Sequence, residues 1–293
     1  MPHRLNALAL ASLAAWLATA PPAPAADDAE ADARIARAVQ ATTNHRDEWG
    51  VPHIEADTDA HAVFGFMYAR AEDEFYAIER SLLTMTAQGA AAFGEAGLAG
   101  DILMHAYEIP ERARAEFKVA PPRVRALCTA AADALNHYLA CHPEEEPALL
   151  THFEPWYFLA ADYGMHVGYL SLSQTGIEGA DLLKSADPRA LDTPDGSNMW
   201  AIAPQRTRDG HALLFINPHI PIHEVYEGHV RSDEGWNFSG GTAYGSIFPM
   251  FGFTEHHAWS FTVNYPDIID VYAETFDRPD EPLAYRYGDK YRQ

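Results

Sequence analysis

A run of chain-breaking residues divides this sequence into two parts with different hydrophobic periods. It extends from Ser185-Ala186-Asp187-Pro188 to Thr193-Pro194-Asp195-Gly196. Before it, apolar residues recur at three- and four-residue steps. After it, they form short strand-like runs separated by turn residues. Helices followed by strands predict an α+β chain. Residues 185–196 read as an exposed linker, or propeptide, between a mostly helical region at 26–184 and a β region at 197–293.

The strongest helical signal starts at Thr58 or Asp59, either of which can cap a helix, and ends at Gln88-Gly89. Val63, Phe64, Met67, Ala71, Phe75, Ile78, Leu82 and Met85 give it one continuous apolar face. Arg70, Glu72, Asp73, Glu79 and Arg80 fall mostly elsewhere, and Glu72-Asp73-Glu74 reads as a solvated face. A second helix starts at Pro121-Pro122 and ends at His142-Pro143. It would hold Cys128 and Cys141 roughly 20 Å apart at 1.5 Å per residue, too far for a disulfide. Both are expected to be buried thiols. The Gly-rich stretch Phe93 to Asp101 has neither a following Lys-Ser/Thr nor a preceding strand, so it is not a phosphate loop. Arg46 to Ile54, with a turn at Glu48-Trp49-Gly50, reads as a short strand pair or a strand running into a loop. Trp156, Tyr157, Phe158, Tyr163, Met165, Val167, Tyr169 and Leu170 form an aromatic-rich helical run that suits core packing.

The N-terminus reads as an export signal. Arg4 supplies the positive start, Leu5 to Leu17 is an apolar run too short to span a membrane, and Ala23-Pro24-Ala25 fits a cleavage site. Removal of residues 1–25 leaves no membrane span in the mature protein and places it in the periplasm or outside the cell. Asp27-Asp28-Ala29-Glu30 reads as a solvated acidic tail. The 293 residues are 48% hydrophobic, enough for a sizeable core, and a net charge of −22 argues against nucleic acid and anionic membranes as partners.

In the β region, Met199 to Ala203 and Ala212 to Ile216 flank the loop Arg206-Thr207-Arg208-Asp209-Gly210, a good hairpin. Ser197 then opens the first strand and His219 lies just past the end of the second. Those ends are neighbours in an antiparallel pair, so Ser197 and His219 can meet. By spacing alone, a serine that opens a strand after Asp-Gly is an ordinary loop residue.

Gly196-Ser197-Asn198-Met199-Trp200 resembles the processing site of the penicillin acylase family of N-terminal nucleophile hydrolases. Asn217-Pro218-His219, Trp259-Ser260-Phe261-Thr262-Val263-Asn264 and Arg46-Asp47-Glu48-Trp49-Gly50-Val51-Pro52-His53-Ile54 follow the family pattern in order. The resemblance covers most of the chain from about residue 40 onward. It implies a four-layer αββα fold, incomplete in this chain, and a precursor cut between Gly196 and Ser197 into associated small and large chains. The peptide before the nucleophile is trimmed, and the late small-chain helices help wall an acyl pocket.

The resemblance also implies chemistry. Ser197 attacks the Gly196 carbonyl, and water opens the resulting ester. Glycine at 196 is expected to remove a side chain that would obstruct attack. The freed α-amine, titrating near 7.7–8.0, then serves as the base for Ser197 on an acylated small-molecule amide. His219 matches the position that orients amine and substrate, and Val263 the backbone N–H that donates to the oxyanion. Asp267, Ile269 and Asp270, completed by Glu178, resemble a structural calcium site. No organic cofactor is implied. Asn217-Pro218-His219 and Thr262-Val263-Asn264 look closer to acylases of fatty acyl amides, such as acyl-homoserine lactones and lipopeptides, than to those of phenylacetyl β-lactams. The family's large chain is much longer than residues 197–293, and its second oxyanion donor, an Asn with an Arg neighbour, lies far downstream. The sequence is therefore expected to be incomplete or truncated and inactive by itself, with exposed strand edges.

Two other readings stand beside this one. A truncated remnant or binding protein of the same fold would keep the front half without activity. A metal-dependent hydrolase would use His219, His223, His229, His256 and His257. Pro221, between His219 and His223, argues against the helix that makes such a pair a zinc site.

Overall fold

Helix α2 (Asp59–Met85) packs against other helices on one side and against strands of the main sheet on another, and the fold is built on these two faces. The computed structural model describes residues 26–166, 196–220, 225–243, 245–247, 249–262, 272 and 274–293. The signal segment, residues 185–195, His223, Val167, Tyr169, Leu170, Glu178, Val263, Asp267, Ile269 and Asp270 lie outside the described residues.

The helical part runs α1 (Ala26–Gln40), α2, α3 (Gly89–Phe93), α4 (Glu95–Ala106), α5 (Ile109–Val119), α6 (Pro122–Cys141) and α7 (Tyr157–His166). The hairpin of β1 (Thr42–Arg46) and β2 (Pro52–Ala56) lies between α1 and α2. Then follow β3 (Ser197–Ile202), β4 (Leu213–Pro218), β5 (Val225–Ser232), β6 (Asn237–Ala243), β7 (Phe251–Thr254), β8 (Ala258–Trp259), β9 (Tyr285–Tyr287) and β10 (Lys290–Arg292). The chain is α+β, as its two hydrophobic periods predict. The main sheet has the order β1-β2-β5-β6-β7-β8, antiparallel except for β2 beside β5. β3–β4 and β9–β10 are separate two-stranded pairs. Among the described residues, no helix is long and apolar enough to cross a membrane.

Thr58 caps α2, its hydroxyl accepting from the His61 N–H at 3.1 Å. Val63, Met67, Ala71, Phe75, Ile78 and Leu82 are buried in the helical core with Leu127, Leu135, Phe153 and Phe158. Ala62, Phe66 and Ala69 turn instead to the sheet, against Ile54, Tyr226, Val230 and Phe238. Burying each large apolar side chain stabilises by about 1.5–3 kcal/mol, against roughly 0.2–0.5 kcal/mol for a surface ion pair on a helix, so these two stripes set the helix orientation. Glycines allow the close approach. A Cβ on Gly65 would lie 2.4 Å from Thr42 Cγ2, and one on Gly228 2.4 Å from the Phe66 ring.

Glu72 and Asp73 are exposed, as the solvated-face reading has them, and Glu74 is half-buried. Arg70 and Glu79, which fall off the apolar period, are buried nonetheless. The Glu79 carboxylate accepts from the N–H groups of Ala148, Leu149 and Leu150 at 2.8–2.9 Å, holding the loop before α7. Glu72 and Asp73 bind the Arg46 guanidinium at 3.1 and 2.7 Å, pinning the β1–β2 hairpin to α2. Asp59 ties three elements: it accepts from Arg123 of α6 and from Ser232 of β5, and its N–H donates to Glu234. The stretch Asp27 to Glu30 belongs to α1 and is no free tail. In the Gly-rich stretch, the Asp101 carboxylate takes the N–H groups of Gly89 and Ala90 at 2.8 Å, filling the N-terminus of α3 with the chain's own anion. Tyr157 and Phe158 are core residues, and the Arg114 guanidinium sits 4.0 Å from the Trp156 ring centre, so these aromatics pack within the helices. Residues 274–276 belong to no strand.

Both cysteines are free and lie on α6, as their spacing predicts, but only Cys128 is buried; Cys141 is exposed at the helix end. Burial pushes the Cys128 thiol up to about 12. In the native protein at pH 8, a thiol reagent should label Cys141 and spare Cys128, with Cys128 reacting only after unfolding; peptide mass mapping distinguishes the two. Glu79→Ala leaves the buried Leu150 N–H and two part-buried N–H groups without their acceptor, and should lower unfolding stability by about 2 kcal/mol, measured by urea denaturation, with Glu79→Gln intermediate.

Candidate active site

The β3–β4 hairpin brings Gly196, Ser197 and His219 together. Its register pairs Ser197 with Pro218, Asn198 with Asn217 and Trp200 with Phe215. Trp200 and Phe215 stack face to face, 4.1 Å between centres and 6° from parallel. Such a cross-strand aromatic pair holds the register, because a one-residue slip would put the two rings on opposite faces.

That register delivers His219 to Ser197. The main-chain N–H of His219 donates to Ser197 Oγ at 3.3 Å, and Ser197 Oγ–H donates to the Gly196 carbonyl at 2.6 Å. The hydroxyl thus lies against the peptide group that joins 196 to 197. The imidazole is engaged elsewhere. His219 Nε2 lies 2.9 Å from Asn198 Nδ2 and 3.2 Å from Asn217 Oδ1, while Nδ1 is buried and has no partner among the described residues. Contact between His219 and the serine is through the backbone, and the two asparagines hold the ring. Thr262 Oγ1 donates to the Ser197 carbonyl at 3.0 Å, which brings Thr262 to the same place from 65 residues away.

Gly196 has φ +122°, in the region that L side chains rarely adopt, and a Cβ there would meet nothing within 4 Å. The backbone conformation by itself therefore favours glycine at 196. Asn198, Asn217 as a ring-holding pair, and Thr262 were not assigned roles by the sequence reading. The two asparagines were legible as cross-strand partners once Ser197 and His219 were placed at adjoining strand ends; Thr262 had no local signal.

The five histidines of the metal-hydrolase reading do not converge where they are described. His219 is held in β3–β4, His229 lies on β5, and His257 stacks on Trp259. Among the described residues, no three His, Cys, Asp or Glu side chains gather as a metal site.

Residues 42–293 match the family described as penicillin amidase. The chain is 25% identical over 273 residues to the acyl-homoserine lactone acylase PvdQ of Pseudomonas fluorescens (strain Pf0-1), covering 82% of this chain and 35% of that protein. It is 25% identical over 307 residues to the penicillin acylase 2 proenzyme of Pseudomonas sp. (strain SE83), with coverages of 84% and 39%. The aculeacin-A acylase of Actinoplanes utahensis is 27% identical over 303 residues, with coverages of 89% and 37%. The chain thus spans little more than a third of the length of these relatives. A thermostable penicillin G acylase from Alcaligenes faecalis superposes with a TM-score of 0.40 at 20% identity, over 48% of this chain and 79% of that one.

Proposed function

The chain belongs to the penicillin amidase family, and from that premise we propose that Ser197 is the N-terminal nucleophile of an exported, self-processing amidohydrolase. The observation that carries the reading is the position of Ser197 Oγ, 2.6 Å from the carbonyl oxygen of Gly196 at the head of a strand pair. It is supported by the absence of any imidazole or carboxylate among the described hydrogen-bond partners of Oγ, which are main-chain groups. A serine with that surrounding needs a base from elsewhere, and its own α-amine is one.

In the uncut chain, Oγ rotates off the Gly196 oxygen and attacks the carbonyl carbon. The C–N bond to Ser197 breaks as the ester forms, the Oγ proton passing to the departing nitrogen and freeing the α-amine, and water then opens the ester to leave the Gly196 carboxylate and the Ser197 hydroxyl. In the mature enzyme that amine takes the Oγ proton, directly or through a water, as Oγ attacks the substrate amide. The proton passes to the departing amine, and water clears the acyl ester. The His219 N–H and the Asn198–Asn217 pair keep the serine and the strand end in place. The Val263 N–H is assigned to the oxyanion, consistent with Thr262 bonding to Ser197. Residues 26–184 form the small chain, 185–196 are trimmed, and the large chain starts at Ser197. The carboxylate and carbonyl oxygens of Asp267, Ile269, Asp270 and Glu178 suit a calcium ion. The substrate class is an amide between an acyl chain and an amine, with fatty acyl groups preferred. The relatives' names, acylases of acyl-homoserine lactone, penicillin and aculeacin-A, support the class.

N-terminal sequencing of the full-length protein should find a chain beginning Ser-Asn-Met-Trp, absent from Ser197→Ala, which stays uncut and inactive. Cutting of Ser197→Ala at the same bond would overturn the assignment. Gly196→Ala forces a side chain into a strained φ worth about 1–3 kcal/mol, and should slow self-cleavage roughly 5- to 100-fold, followed as loss of uncut chain on a gel. The amine is active when neutral, so kcat/KM should rise with pH and level off above about 8. Hydrolysis of phenylacetyl amides far faster than acyl-homoserine lactones would remove the fatty-acyl preference.

A further inference from the structure

The solvent face of the main sheet carries a histidine pair that the proposed chemistry does not use. His45, His53 and His229 are consecutive cross-strand partners on β1, β2 and β5. His53 and His229 turn their Nδ1 atoms toward each other at 3.2 Å, their rings edge to face at 71°. Their outer nitrogens face oxygen: His53 Nε2 lies 3.5 Å from Asp47 Oδ2 and His229 Nε2 lies 2.9 Å from Asn237 Oδ1. Acceptors at both outer positions draw the ring hydrogens to Nε2. Two neutral rings in that state direct two lone pairs at the same point. An electrophile is needed there. One hydrogen can serve, as an imidazolium proton or, if the Asn237 amide is turned over, as a neutral N–H. A dication can take its place.

We propose that His53 and His229 form a binding site for a late first-row transition-metal dication, Zn2+, Ni2+ or Cu2+. Imidazole suits these ions over Ca2+ or Mg2+. Two nitrogens bound to zinc at about 2.0–2.1 Å in tetrahedral geometry stand about 3.3 Å apart, and this pair is already at 3.2 Å. Metal-bound histidines normally give the other ring N–H to a carboxylate or carbonyl oxygen; Asp47 and Asn237 stand at those positions. Asp47 is also rigidly placed, its other oxygen accepting from the N–H groups of Trp49 and Val51. The pair is half-buried, so water reaches the remaining coordination positions. His45, opposite His53 with ring centres 6.2 Å apart, is the nearest further imidazole on that face. The site involves neither Ser197 nor chain cleavage.

The test uses untagged full-length protein, stripped with chelator and titrated with CuCl2. One equivalent should bind with an electron paramagnetic resonance spectrum showing two coupled imidazole nitrogens. His53→Gln and His229→Gln should each reduce that pattern to one nitrogen and weaken binding at least about tenfold, and Asp47→Asn should weaken it about 10- to 100-fold. Glu55→Gln, on the same face but outside the network, should bind like wild type. Wild-type copper binding unchanged by both histidine substitutions, or no binding at equimolar metal, overturns the proposal. A second measurement needs no variant. Zn2+ should protect His53 and His229 of the wild type from diethyl pyrocarbonate while exposed His256 stays reactive; equal modification with and without zinc overturns it.

Discussion

The burial of α2 on two faces is the constraint on which the rest depends. One stripe of the helix, Met67, Phe75, Ile78 and Leu82 among it, lies in the helical core, and the stripe of Ala62, Phe66 and Ala69 lies on the sheet. A helix buried on two sides has little room for solvated charge. Its ionic residues are therefore paired or bonded to backbone: Arg70 with Glu74, Glu79 with three amides, Glu72 and Asp73 with Arg46. Leaving buried Arg70 or Glu79 unpaired would cost more than a surface pair contributes. The polar side of α2 thus becomes a set of attachments for the β1–β2 hairpin and the loop before α7.

The candidate site rests on a different principle. β3–β4 is separate from the main sheet, and its geometry comes from its own register. Trp200 on Phe215 and Asn198 opposite Asn217 place the strand ends, and the strand ends place Ser197 beside His219. Only Thr262, arriving from further along the chain, adds a long-range contact at Ser197 among the described residues. Local register is enough to position a nucleophile against the peptide bond it is proposed to cut.

The sheet face shows how sequence proximity misleads. His219, His223, His229, His256 and His257 are near one another in the sequence, yet His229 meets His53, 176 residues away. Parallel pairing of β2 with β5 makes that meeting, and such pairing leaves no mark in either strand's local sequence.

What the sequence determined by itself is what neighbours along the chain decide. The Thr58 cap and the apolar period of α2, the Pro start of α6, the β1–β2 turn and the β3–β4 hairpin were all legible, and with the hairpin came the meeting of Ser197 and His219. These depend on dihedral preferences and periodicity within a few residues. The helix at Ala26–Gln40 was missed because its start reads as an acidic tail, and α3 and α4 because glycines mask their period. Tertiary structure alone decided that Arg70 and Glu79 are buried, that Cys141 is exposed, that Gly196 takes a positive φ, and that His53 faces His229. Burial and pairing of these groups are set by partners distant in sequence, and a charged or polar residue carries no local sign of the partner that will satisfy it.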